Sequence, residues 1–110
     1  MSRQIEPFTC EVTPERDRVV VAPRGELDMA TVDAVEQELR RLIESGFRLV
    51  VLDLGGLSFM DSTGLHLVAR WSAEASRDGF AFEVEPGPRA VQRVFELSGM
   101  AEVLPLRKQE

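Results

Sequence analysis

The sequence predicts an α/β fold: a single small mixed β-sheet packed by about three helices. Short runs rich in β-branched or aromatic residues, such as Val19–Ala22 and Leu49–Leu52, alternate with longer stretches whose apolar residues recur at three- and four-residue steps. The longer stretches share a stop signal, a glycine followed by a large apolar residue, at Gly46-Phe47, Gly79-Phe80 and Gly99-Met100. The chain has 110 residues, 44% of them hydrophobic and 29% charged, the size and balance of one folded domain.

Taken in order, Phe8–Val12 and Val19–Ala22 read as strands, joined across the polar break Thr13–Arg18 as a hairpin. Asp28 is placed to cap a helix over Met29–Glu44, with Val32, Val35, Leu39, Leu42 and Ile43 on its buried face. Leu49–Leu52 is apolar without alternation, as in a strand covered on both faces. A loop follows from Gly55 to Asp61, then a helix over Ser62–Arg77 and a strand over Phe80–Val84. Pro88 suits the first turn of a third helix reaching Ser98. Glycine after each helix permits the left-handed turn, after which Phe47 folds back toward Leu42 and Met100 toward Phe95. Residues 1–6 and 107–110 are polar ends expected to be loose, which leaves 7–106 as the domain.

Charge and composition narrow the function. Nineteen acidic against thirteen basic residues give a net charge of −6, with no basic cluster to meet a phosphate backbone, so nucleic acid is not expected as a direct partner. One cysteine, Cys10, forbids an internal disulfide, and with one histidine, His66, a Cys/His metal site is not expected. Apolar runs stop at four residues, far short of the about 20 a membrane span needs. Residues 1–20 lack the layout of a signal peptide, so the expectation is a cytoplasmic protein without a cofactor.

The informative segment is Asp53–Leu65, in which an apolar strand ends, two glycines pass, and Ser62-Thr63-Gly64 opens a helix. The crevice beyond the carboxyl ends of parallel strands is where functional groups gather. Ser62 has two readings: an N-cap for the helix, or an exposed hydroxyl able to accept a phosphoryl group. Asp28 likewise reads as a cap or as an exposed carboxylate in a loop, Gly25-Glu26-Leu27-Asp28, lying near Ser62. A hydrolase is not expected, because Met60-Asp61-Ser62-Thr63-Gly64 is not the G-x-S-x-G nucleophile elbow and Asp61 directly precedes the serine. No Gly-Lys-Ser/Thr follows Gly55 or Gly64, which argues against a P-loop. On the second helix, Leu65, Val68, Ala69, Ser72, Ala75 and Ser76 form one stripe, with Leu67 and Trp71 at its edge. Trp71 is assigned to the core, and Leu67, one turn past Ser62, to an exposed partner surface.

These residues resemble the STAS-domain proteins of the bacterial anti-sigma factor antagonist group. The resemblance runs through Gly25-Glu26-Leu27-Asp28, Leu52-Asp53-Leu54, Phe59-Met60-Asp61-Ser62-Thr63-Gly64-Leu65, Glu85-Pro86-Gly87-Pro88, Leu97-Ser98-Gly99-Met100 and Val103-Leu104-Pro105. It implies a regulatory binding protein rather than an enzyme. The serine matching Ser62 is phosphorylated by an anti-sigma factor that is itself a serine kinase, and the unmodified antagonist binds that kinase. Phosphorylation prevents binding, and a PP2C-type phosphatase restores it. By the same resemblance Asp28 and Asp61 sit beside the phosphosite; Thr63, which adds a second hydroxyl, Gly64 and Leu67 complete the candidates for the phosphosite environment and partner contact. The family also includes scaffold subunits of stressosomes and accessory subunits of lipid-transport complexes.

Overall fold

Five strands and three helices build the domain in a computed structural model that describes residues 7–100. Strand β1 (Thr9–Pro14) runs antiparallel to β2 (Val19–Leu27), forming the expected hairpin with Val12 opposite Val21. Helix α1 (Val32–Glu44), strand β3 (Leu49–Asp53), strand β4 (Leu57–Met60), helix α2 (Ser62–Asp78), strand β5 (Ala81–Glu85) and helix α3 (Arg89–Ser98) follow. The main sheet has the order β1-β2-β3-β5, with β2, β3 and β5 parallel. Val50, Val51 and Leu52 of its central β3 are fully buried, as a strand covered on both faces requires. The mixed sheet with three helices is the fold class expected from the sequence.

Strand β2 runs five residues further than its apolar run suggests, and its far end changes partner. Val19–Val21 pair with Val50–Leu52 of β3, whereas Gly25–Leu27 pair in parallel with β4. The register shifts between Gly25 and Glu26, and Gly25 takes φ 103°, a conformation glycine adopts without the clash a Cβ would bring. Gly25-Glu26-Leu27 is therefore strand, not loop. So is Leu57–Met60, expected as loop: it covers the edge of β2 that β3 leaves behind.

The helices are held by the expected signals, but two starts are altered: Pro88 is the N-cap of α3 rather than part of its first turn, and α1 starts late. Val32, Val35, Leu39 and Leu42 are the buried residues of α1, and Ile43 packs half-buried beside them. Gly46, Gly79 and Gly99 all adopt positive φ. After α1, the Gly46 N–H donates to the Ile43 carbonyl at 3.0 Å and the Phe47 N–H to the Leu42 carbonyl at 3.2 Å, the paired bonds of a Schellman motif. Phe47 and Met100 both pack against the core. Helix α1, however, begins at Val32 rather than Met29, and its N-cap is Thr31, not Asp28. Residues 1–6, 107–110 and the segment Val103-Leu104-Pro105 lie outside the described residues.

Trp71 anchors the helical layer. Its ring is fully buried, with centroids 5.9 Å from Phe80 and 6.3 Å from Phe82, so its assignment to the core holds. Its Nε1–H donates to Glu36 of α1 at 3.1 Å, and the Arg40 guanidinium lies 4.7 Å from the ring centroid. Arg40 also forks onto Glu74 at 2.8 and 3.0 Å, which holds the Glu74 carboxyl below its usual range. These contacts bind α1 to α2 above the sheet and fix the rotation of α2, hence the direction in which its first turn faces.

Candidate functional site

The register of β2 and β4 assembles the site. Leu27 pairs with Met60, so the next residues, Asp28 and Asp61, leave the same end of a parallel ladder in the same direction. The Asp61 N–H donates to the Leu27 carbonyl at 3.2 Å, extending the pairing by one step and bringing the β2–α1 turn against the start of α2. Two chain segments far apart in sequence thus leave the sheet at neighbouring positions, one carrying Asp28 and the other Asp61 and Ser62.

At the start of α2 the structure separates two roles that the sequence left open. Asp61 is the N-cap: its backbone is extended (φ −105°, ψ −170°), and its Oδ1 accepts the Thr63 N–H at 2.8 Å. Ser62 occupies the first helical position, is exposed, and its hydroxyl makes no hydrogen bond within the described residues. The N-cap reading of Ser62 is thereby corrected. Its Oγ stands at the positive end of a 17-residue helix with no structural duty, a location that favours an attached anion. Thr63 is half-buried behind it.

Gly64 is there for space. A Cβ on it would lie 2.5 Å from Cγ and 2.7 Å from Sδ of Met60, and 3.0 Å from Cδ2 of Leu27. The first turn of α2 rests directly on the paired residues that end β2 and β4, which fixes the height of Ser62 above them.

Asp28 is not a cap but the first residue of a closed turn. Its Oδ1 accepts the Ala30 N–H at 2.9 Å, and its carbonyl accepts the N–H groups of Thr31 and Val32 at 3.1 and 2.9 Å. Its side chain is half-buried at the site rather than freely exposed.

Leu67 departs from expectation. It is fully buried, so the exposed partner surface assigned to it does not exist. The helix is gripped by the sheet on one side and by α1 on another, which turns the buried arc toward Gly64, Leu67, Trp71 and Ala75 and leaves Ser76 outside. The exposed large apolar residues beside the site are Met29, in the β2–α1 turn, and Phe59, on β4. Neither stands out in the sequence, where Met29 reads as helix and Phe59 as loop. His66 is exposed. Among the described residues no group of His, Cys, Asp and Glu is placed to hold a metal, and no helix is long and apolar enough to cross a membrane.

The chain is a mixed five-stranded sheet with three helices, and its second helix opens on an exposed serine directly after a capping aspartate. The STAS domain family model matches residues 11–110, and the chain belongs to that family. It is 32% identical over 91 residues, 80% of this chain and 76% of the relative, to a protein of Bordetella bronchiseptica described as the putative anti-sigma factor antagonist BtrV. The crystal structure of an anti-sigma factor antagonist from Mycobacterium paratuberculosis superposes with a TM-score of 0.82 at 27% identity, covering 94% of this chain and 87% of that one. The anti-sigma factor antagonist SpoIIAA in its unphosphorylated form gives 0.73 at 26% identity, covering 94% and 89%. The Bacillus cell fate determinant SpoIIAA in its phosphorylated form gives 0.67 at 25% identity, covering 94% and 92%.

Proposed function

We propose that this chain is an anti-sigma factor antagonist of the bacterial cytoplasm, controlled at Ser62. With Ser62 unmodified, the surface around it binds an anti-sigma factor that is also a serine kinase, and the sigma factor held by that partner is released for transcription. The kinase then transfers the γ-phosphoryl group of ATP to Ser62 Oγ, which gives up its proton as ADP leaves. The phosphorylated antagonist dissociates, and a PP2C-type phosphatase hydrolyses the ester. The observation that carries this reading is the exposed Ser62 hydroxyl, freed from capping by Asp61 and set at the N-terminus of α2.

The physics of such a switch follows from that placement. A phosphoserine adds about −1.5 to −2 charges at pH 7. Alone, the domain accommodates them, since the helix end offers roughly 0.3–1 kcal/mol of favourable interaction with an anion. A partner closing over the site strips water from the phosphate beside the carboxylates of Asp61 and Asp28. A net penalty of about 4 kcal/mol weakens affinity around a thousandfold. Modification therefore acts on the interface and leaves the fold intact.

The test is an affinity pull-down from the source bacterium's cytosol with wild type and Ser62→Glu, the captured proteins being identified by mass spectrometry. Wild type is expected to retain a kinase-like anti-sigma factor that Ser62→Glu does not. Recovery of the same scaffold or transport components on both would refute the switch.

A further inference from the structure

We infer that Thr31 is a positioning residue for partner recognition: its hydroxyl locks the Asp28–Thr31 turn and so holds Asp28 and Met29 in place beside Ser62. The inference rests on the reading of that surface as the one an anti-sigma factor binds.

Thr31 stands at the N-cap of α1, where a threonine hydroxyl ordinarily accepts an N–H from the helix's first turn. Here it makes no such bond. Its Oγ1 points back toward β2, donating to the Glu26 carbonyl at 2.7 Å and accepting the Asp28 N–H at 3.1 Å. A hydroxyl has one proton, so the 3.3 Å approach to Asp28 Oδ1 is a secondary contact of the same group. The two main bonds bracket Leu27, whose carbonyl receives the Asp61 N–H. One side chain therefore staples the strand end on both sides of the residue that joins the two halves of the site.

The turn this creates is rigid and open at once. Besides the two hydroxyl bonds, Asp28 Oδ1 holds the Ala30 N–H, and the Asp28 carbonyl holds those of Thr31 and Val32. Val32 is buried, which ties the far end of the turn to the core. What the turn displays is Met29, 80% exposed and next to Asp28, while Phe59 of β4, paired with Glu26, is 43% exposed. Helix α1 forgoes a capping bond in the arrangement, while Met29 at its tip stays largely exposed. A turn already fixed in its bound shape spares the partner the cost of ordering it, which is how a hydroxyl with no contact to the partner raises affinity.

The test measures calorimetric affinity for the anti-sigma factor recovered on the wild-type protein, with Thr31→Val, Thr31→Ser and a control, Val19→Ala, at the opposite end of β2. Melting temperatures are recorded alongside, and titrations are made where every variant is folded. Thr31→Val, which keeps the shape and removes both bonds, is expected to weaken binding about tenfold or more. Thr31→Ser restores the hydroxyl and should bind within about twofold of wild type. Val19→Ala should melt lower yet bind as wild type does. Unchanged affinity in Thr31→Val overturns the inference, as does affinity that merely follows melting temperature across the set. A wild-type protein that recovers no anti-sigma factor overturns the antagonist reading itself and this inference with it.

Discussion

The division of labour between Asp61 and Ser62 can be weighed by stability. Asp61 Oδ1 caps α2 through a 2.8 Å bond to the Thr63 N–H, whereas the exposed Ser62 hydroxyl has no hydrogen-bond partner among the described residues. Removing an N-cap costs about 1 kcal/mol, and losing its negative charge at the helix end roughly another 0.5. Unfolding entropy of about 2.1 cal/mol/K per residue gives roughly 230 cal/mol/K for 110 residues, so 1 kcal/mol moves the midpoint by about 4 °C. Asp61→Ala should therefore melt about 6 °C below wild type. Asp61→Asn keeps the acceptor and loses only the charge, for a drop of about 2 °C. Ser62→Ala should stay within about 2 °C, because alanine is at least as good a helix former and no bond is lost. The assay is thermal unfolding followed by far-ultraviolet circular dichroism, all variants in one buffer. A Ser62→Ala loss equal to that of Asp61→Ala would refute the reasoning, since it would return the capping role to the serine.

Two further outcomes are expected. Leu67→Ala opens a cavity beneath a fully buried position and should cost about 2–5 kcal/mol, a fall in midpoint of roughly 8–20 °C; an unchanged midpoint with lost partner binding would put Leu67 at the surface. Burial, reinforced by the Glu38 carboxylate, pushes the Cys10 thiol up from 9.0 to about 11. Between those values the folded state keeps a proton that the unfolded state releases, so stability is full below pH 9.0 and declines as pH rises through about 11. The chain has no tyrosine, and its Lys108 is common to both proteins compared, so Cys10→Ala should flatten the decline in melting temperature over that window. Identical slopes for wild type and variant would show that Cys10 does not cause it.

The helices and the main strands were legible because their signals are local: the stripe from Val32 to Leu42, the continuous Leu49–Leu52 run, and the glycines after each helix. What stayed hidden depended on tertiary partners. Leu57–Met60 is a four-residue strand buried only at its two ends, and it is held by the far end of β2 rather than by a pattern of its own. Asp61 and Ser62 are both good capping residues, and the bond from Asp61 N–H to Leu27 decides between them. Leu67 is buried although it lies off the main apolar stripe, because a helix packed on two sides buries a wider arc than a single stripe suggests. Thr31 does carry a local signal: it stands three residues after Asp28, where its hydroxyl reaches the Asp28 N–H, a spacing that favours a closed turn over an early helix start.

The parallel ladder of β2 and β4 also determines which changes to the gene the site can absorb. Asp28 and Asp61 are neighbours through the pairing of Leu27 with Met60, not through the chain that connects them. Residues added in the exposed Ser45–Gly46 turn after α1 lengthen the route between the two aspartates without altering their separation. A single residue inserted between Gly56 and Met60 has the opposite effect: it slides β4 along β2, turns Met60 out of the core and carries Asp61 and Ser62 away from Asp28. The distance along the chain is thus free to drift, while the four positions of β4 are not.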